Sequence, residues 1–354
     1  MQESVVIEQM KLSEKADVLD FLSTAFADNP RQSDGQFWDW HFPDSPYCDP
    51  ENLTIWLAKV NGKIAGQLAA VPVELNADGT TVPAIWILDL IVGTDYRRRG
   101  IAKKLALASL RHSPIVLGTN TPKQHSTELL EGLGWTIFTK IPRYSKMLFP
   151  GNAIHEISSV GPIASLANIA YAPFRRSHSS SDITQVDGFD GSFDELWVEA
   201  RTHWPYSISR TAKMLEWQYV RQPGKKFDIL TLRKNGKLCG YVVMFFRSPN
   251  NHGVIEKAAI TDICYAPEDA DNTIDELLAA AISLAISRIA GRLITDVIDA
   301  RLESRLKKAG FWQVRSDLQL LAHAPPEYSR LFDAANWFLT RGDSDISIFE
   351  HPNT

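Results

Sequence analysis

The spacing of apolar positions divides the first 150 residues into a short series of elements. Asp17–Ala27 places apolar side chains every three to four positions, which predicts an amphipathic helix. Leu53–Val60 and Lys63–Leu75 are apolar runs separated only by Asn61-Gly62. That dipeptide favours the positive φ angles of a tight hairpin, so the two runs predict antiparallel strands. Val82–Val92 reads as another strand, followed by a basic turn and a helix from about Gly100 to Arg111. Ile115–Asn120 predicts a short buried strand and Pro122–Leu133 a helix stopped by Gly134. Trp135–Leu148 fits two final strands.

The same order returns later in the chain. Trp40-His41-Phe42-Pro43-Asp44-Ser45-Pro46 recurs as Trp217-Gln218-Tyr219-Val220-Arg221-Gln222-Pro223. Asn61-Gly62-Lys63-Ile64-Ala65-Gly66 recurs as Asn235-Gly236-Lys237-Leu238-Cys239-Gly240. Leu88-Asp89-Leu90 matches Thr261-Asp262-Ile263, and Gly134-Trp135 matches Gly310-Phe311. All four pairs lie 173 to 177 positions apart. The second copy starts near Ile183, with a helix over Thr273–Ala290, a strand over Arg292–Val297 and a helix ending at Ala309. The expected layout is a first domain over 1–150, a linker with a helix over 151–182, a second domain over 183–324 and a tail over 325–354.

Composition narrows the class. Hydrophobic residues make up 44% of the 354 and charged residues 22%, which excludes a mostly disordered chain. With 37 basic against 42 acidic residues the net charge is −5, so no nucleic-acid partner is expected. Three cysteines without CxxC spacing argue against a disulfide framework or a zinc site, so no metal is expected and a reducing cytoplasm suits the chain. The first residues carry acids where an export signal needs an apolar core. Ile157–Phe174 is uncharged, but two prolines, a glycine and an asparagine make it a poor membrane span. A buried or interdomain helix is its plainer reading, and Arg175 and Arg176, which follow it, leave a peripheral membrane contact as the sharper alternative.

Candidate chemistry gathers at Leu88-Asp89-Leu90-Ile91-Val92-Gly93-Thr94-Asp95-Tyr96-Arg97-Arg98-Arg99-Gly100-Ile101-Ala102-Lys103-Lys104. A strand, a turn and a helix opening at glycine present unbonded N–H groups and partial positive charge, which suit a phosphate. Five cations between Arg97 and Lys104 add a field of the same sign. A solvated basic turn is the plainer reading of that charge.

The spacing Arg-x-x-Gly-x-Ala after such a strand resembles the acyl-CoA motif of the GNAT N-acetyltransferases. The resemblance implies an α/β (α+β) fold: two tandem GNAT-like domains, each a mixed, mostly antiparallel sheet flanked by helices. It further implies that Arg97, Arg98, Arg99, Gly100, Ile101, Ala102 and Lys103 hold the pyrophosphate of acetyl-CoA or another acyl-CoA. Leu90, Ile91 and Val92 would pair with the pantetheine arm, the Leu90 N–H would polarise the thioester, and Asn120 would lie where the next strand splays away. Asp89, an acid two residues before that edge as in related aminosugar acetyltransferases, is the candidate base or orienting group for an amine. A carboxylate bonded to nearby backbone is its plainer reading, and Glu74 is the second choice.

The chain also departs from the family. Leu130 stands where many members carry a tyrosine that protonates the thiolate, so Tyr144, Ser126 and His125 become candidate acids. The second copy has Glu268, Asp269, Asp271, Asp275 and Glu276 where the basic loop should be, which predicts a non-catalytic domain. Asp262, Cys264 and Tyr265 could line an acceptor pocket, and Trp40, Phe42, Trp217 and Tyr219 read as core or as a sugar platform. The tail Trp337–Asp345 loosely resembles tails of tandem GNAT-like proteins associated with surface-polysaccharide genes, which leans the acceptor toward an amino sugar. The expected activity is acyl transfer to the amine of a small molecule by direct attack. An acyl-CoA sensor and a FemAB-type aminoacyl transferase are the alternatives. The second is disfavoured by the intact basic loop and the negative net charge.

Overall fold

The structure is a computed structural model that describes residues 4–121, 126–154, 161–172, 182–250 and 253–344. Its first elements are β1 (Val5–Gln9), α1 (Lys15–Ala25), α2 (Gly35–His41), β2 (Ile55–Val60), β3 (Lys63–Ala77), β4 (Thr80–Val92), α3 (Ile101–His112), β5 (Val116–Asn120), α4 (Ser126–Glu131) and β6 (Thr136–Lys140). There follow β7 (Arg143–Met147), α5 (Pro150–Ile154), α6 (Gly161–Ala170), β8 (Ile183–Val186), α7 (Gly191–Ala200), β9 (Tyr206–Ile208), α8 (Ala212–Leu215), β10 (Phe227–Lys234), β11 (Lys237–Phe246) and β12 (Lys257–Tyr265). The chain continues through α9 (Ala270–Ser287), β13 (Arg292–Ile298), α10 (Ala300–Lys308), β14 (Trp312–Val314), β15 (Gln319–His323) and β16 (Trp337–Thr340). No helix among the described residues is long and apolar enough to cross a membrane.

Two compact units result, and neither is continuous in sequence. The first joins the described residues of Met1–Lys140 to Arg221–Gly224 and Asp317–Ala334. The second holds those of Ile141–Val220, Lys225–Ser316 and Ala335–Thr354. In the first unit the strand order is β1-β2-β3-β4-β5-β15-β6, with β4 and β5 parallel and the other pairs antiparallel. In the second it is β8-β10-β11-β12-β13-β7-β14, with β12 and β13 parallel. The orders correspond strand for strand, except that the place beside each unit's outermost strand is filled from the other half of the sequence. β15 lies between β5 and β6, and β7 lies between β13 and β14.

The recurring motifs have local physical causes. In Asn-Gly-Lys-x-x-Gly the last glycine marks where a helix crosses the sheet closely. A Cβ on Gly66 would meet Ile101 and Leu105 at 3.2 and 3.4 Å, and one on Gly240 would meet Thr273 and Leu277 at 3.0 Å. The Trp-x-aromatic motif ends α2 in the first copy and lies in the helical turn that follows α8, Glu216–Val220, in the second; each helix is capped by the residue before it. Asp34 accepts from the Phe37 N–H at 2.7 Å to start α2, and Thr211 accepts from the Met214 N–H at 3.3 Å to start α8. Trp40, Phe42, Trp217 and Tyr219 are all buried, which makes them core and removes the sugar-platform reading. α3 packs its Ile101, Leu105 and Ala106 face on Ala65, Leu68, Ile85 and Ile87 in the core of the first unit.

Candidate functional site

β4 is buried from Ala84 to Ile87 and half-buried from Leu88 to Val92. The change has two causes. Its parallel pairing with β5 runs only from Ile85↔Val116 to Ile87↔Gly118, after which the two strands part. On the other side, Ile87 faces Ala70 and Leu90 faces Leu68, so Leu88 and Asp89 together oppose Ala69. This β-bulge turns the strand and re-aims the Asp89 side chain. Leu90, Ile91 and Val92 thus border a slot whose far wall ends at Asn120, the last residue of β5.

Beyond Val92 the chain turns into α3. Arg97, Arg98, Arg99 and Gly100 are exposed, as is Lys103, while Ala102 is half-buried and Ile101 anchors the helix in the core. Arg98 (φ 63°) and Gly100 (φ 75°) are both left-handed, and no side chain caps the helix. Intrahelical bonding begins with the Lys104 N–H to the Gly100 carbonyl at 3.2 Å. The first turn of α3 therefore directs its N–H groups outward beside three arginines, an arrangement suited to a phosphate anion. The loop has its own braces. Arg97 Nε donates to the Val92 carbonyl at 3.2 Å, and Arg99 donates to the Asp95 carbonyl at 3.0 Å with its guanidinium 5.4 Å from the Tyr96 ring centre. A Cβ at Gly100 would meet nothing within 4 Å, so its positive φ, not crowding, is what calls for glycine in the protein alone.

The other sequence candidates scatter. Glu74 pairs with Pro83, five residues along β3 from the bulge, roughly 16 Å at strand rise, so it is not brought to Asp89. Tyr144 lies on β7 in the second unit, where its hydroxyl donates to Glu303 at 2.6 Å and burial raises its pKa well above the usual phenol value. Leu130 is core. Ser126 begins α4, and His125 lies outside the described residues. Asn120 donates to the Thr127 hydroxyl at 2.8 Å, while its carbonyl oxygen is buried with no partner among the described residues. Gln319, directly across on β15, has a buried carbonyl oxygen in the same condition. Sequence reasoning did not single out Gln319, because nothing local places β15 beside β5.

The second unit has the same parting of strands and the same bulge. β12 and β13 pair from Lys257↔Arg292 to Ala259↔Ile294, and Thr261 is the extra residue next to Asp262. Here the slot is occupied by the chain itself. β16 pairs with β13 through Val297↔Thr340 and Ile298↔Leu339. Asp262 accepts from Arg210 Nε at 3.1 Å, from the Tyr241 hydroxyl at 2.8 Å and from the Thr340 hydroxyl at 2.8 Å. Arg210 also bonds Asp343 at 2.5 Å, and Gln218 donates to the Gly342 carbonyl at 2.5 Å. Asp262, Cys264 and Tyr265 are thus interior residues and line no acceptor pocket. Burial pushes the Cys264 thiol up to about 12, which disqualifies it as a nucleophile. The acids at the head of α9 pair within the unit: Lys234 holds Asp269 and Glu276 at 3.2 and 3.4 Å, and Lys308 holds Asp275 at 3.1 Å. Asp269, at the N-cap position of α9, makes no side-chain capping bond among the described residues.

Residues 6–138 match the family described as an acetyltransferase (GNAT) domain. Among solved structures, a GCN5-related N-acetyltransferase from Anabaena variabilis ATCC 29413 is similar with a TM-score of 0.62 and 15% identity, over 90% of this chain and 72% of that one. A probable N-acyltransferase from Enterococcus faecalis V583 gives 0.62 and 14%, over the same shares. The N-myristoyltransferase of Saccharomyces cerevisiae with bound myristoyl-CoA gives 0.61 and 12%, over 91% and 83%. At these identities the likeness is one of fold. No curated protein matches the sequence.

Proposed function

We propose, from the premise that residues 6–138 are a GNAT acetyltransferase domain, that the chain is a cytoplasmic acyl-CoA-dependent N-acyltransferase, with acetyl-CoA as donor and the amine of a small molecule, such as an amino sugar, as acceptor. The observation that carries this reading is the uncapped start of α3 beside exposed arginines, placed where β4 parts from β5. Arg97–Lys103 hold the pyrophosphate, and the Leu90–Val92 edge takes the pantetheine arm. Asn120 and Gln319 supply hydrogen-bond acceptors to the amide groups of that arm. Asp89 orients the amine and takes its proton, directly or through water, as nitrogen attacks the thioester carbonyl. The carbon–sulfur bond then breaks and the thiolate leaves.

The second unit is a scaffold in this reading, because β16 fills its slot and acids stand where the basic loop would be. The test is thiol release from acetyl-CoA by purified protein with a panel of primary amines that includes amino sugars. Acceptor-dependent release supports the proposal. Leu130, in the core where a family tyrosine would stand, favours a second reading of the chain as a non-catalytic acyl-CoA sensor. Tight acetyl-CoA binding with no release for any amine selects that reading.

A further inference from the structure

Gln67 sits in the middle of β3, directly across from Ile91 on the slot-bordering strand. Its relative exposure is 0%, and neither its Oε1 nor its Nε2 has a hydrogen-bond partner among the described residues. A buried amide left without partners is costly, so such a group marks either a ligand contact or a water site.

The second unit shows where this position leads. Tyr241 stands at the matching place, opposite Cys264 as Gln67 is opposite Ile91, and Asp262 occupies the bulge as Asp89 does. The Tyr241 hydroxyl reaches Asp262, which in turn holds the Thr340 hydroxyl of the segment filling that slot. A glutamine is shorter than a tyrosine. From the same backbone position it stops short, and the polar atoms at its tip are left unbonded. By register, the Gln67 amide thus lies on the same face of the sheet as Ile91, two positions along β4 from Asp89.

The face is also defined. A Cβ on neighbouring Gly66 would meet Ile101 and Leu105 of α3, so Gln67, next along the strand, lies on the side of the sheet away from the helix that opens at the phosphate loop. We infer that Gln67 is a specificity residue that donates to and accepts from the acceptor molecule, holding a hydroxyl or amide of it beside Asp89. The inference rests on the transferase reading above, and it assigns the acceptor a polar group bearing both a donor and an acceptor next to the reacting amine.

Gln67→Met keeps the length of the side chain and removes both polar atoms, and Gln67→Leu provides a second apolar variant. Without ligand, each should melt at or above the parent, by about 2–4 °C for Met, since no internal bond is lost. A fall in Tm for both variants shows that the amide is satisfied inside the protein and overturns the inference. With the best amine of a primary-amine panel, kcat/KM should fall by about tenfold or more through KM for that amine, while acetyl-CoA affinity by calorimetry stays at the parent value. Unchanged kcat/KM overturns the assignment, and an equal loss of acetyl-CoA affinity moves the contact to the donor and also overturns it. If the parent protein acylates no amine, the transferase reading fails separately, and the Tm comparison alone still judges whether the Gln67 amide lacks a partner inside the protein.

Discussion

Asp89 and Asp262 occupy the same bulge in the two halves, and their surroundings set different expectations for the same change. Asp262 is fixed by Arg210, Tyr241 and Thr340, whereas Asp89 is half-buried at the border of the slot. If Asp89 takes the amine proton, Asp89→Asn lowers kcat/KM by roughly 10²–10⁴ with acetyl-CoA affinity unchanged. The loss should shrink as pH rises and the amine arrives neutral; a mutant with full activity at neutral pH removes Asp89 from the mechanism. Gly100→Glu combines strain at positive φ with a repelling charge, and calorimetry should show acetyl-CoA binding abolished. His41 supplies a pH dependence. Burial, helped by the Arg31 charge, depresses its pKa to about 3. Below pH 6.5 the unfolded chain takes up a proton that the native state refuses until about pH 3, so stability present at neutral pH is lost as pH falls across that window. His41→Gln, the residue found at the matching position 218, should relieve about 2–3 kcal/mol of that loss at pH 4.5, read from urea midpoints. The bulge aspartate, the arginines and Gly100 were all legible from spacing, because they act within one strand, turn and helix. Gln67 was not. Its neighbours in sequence, Gly66 and Leu68, say nothing of a missing partner.

At the scale of elements, β16 shows what a short strand needs. Four residues, Trp337–Thr340, carry too little pattern to be called a strand, and the tail read as an addition. The slot between β12 and β13 gives it partners, and the segment after it supplies Asp343 to Arg210. Arg210→Met would leave Asp262 and Asp343 buried without their cation. It should cost about 3–5 kcal/mol in chemical denaturation, while a chain also carrying Asp262→Asn and Asp343→Asn should recover part of it. Helices followed expectation more closely. The helix predicted from Gly100 is α3, starting at Ile101, and that predicted over Thr273–Ala290 is α9, shifted to Ala270–Ser287. α2 escaped notice because seven residues hold barely two turns, and its signal is a cap, Asp34, rather than a period.

For the whole molecule, the difference between the two units predicts an asymmetric count of ligands. One acetyl-CoA should bind per chain. Deleting the chain after Asn336 should destabilise the second unit without creating a second site, because the acids that head α9 remain. A stoichiometry of two in either protein would overturn the scaffold role of that unit. The order of elements and the basic loop were readable, since each is written in contiguous residues. The exchange of β7 and β15 was not. Both strands follow the same pattern, and the two sheets offer equivalent places, so alternation alone cannot tell which sheet receives which strand.

That exchange has a consequence for synthesis. β5 and β6 are finished when Lys140 leaves the ribosome, yet the strand that bridges them is made roughly 180 residues later, or about 10–35 s at ordinary elongation rates. Through that interval the nascent first half carries two bare sheet edges, Val116–Asn120 and Thr136–Lys140, facing a vacant place. A chaperone that shields exposed strands would have its longest hold on this polypeptide there, and a stall anywhere before Gln319 would strand the proposed acyl-CoA site on a sheet that has no means of closing.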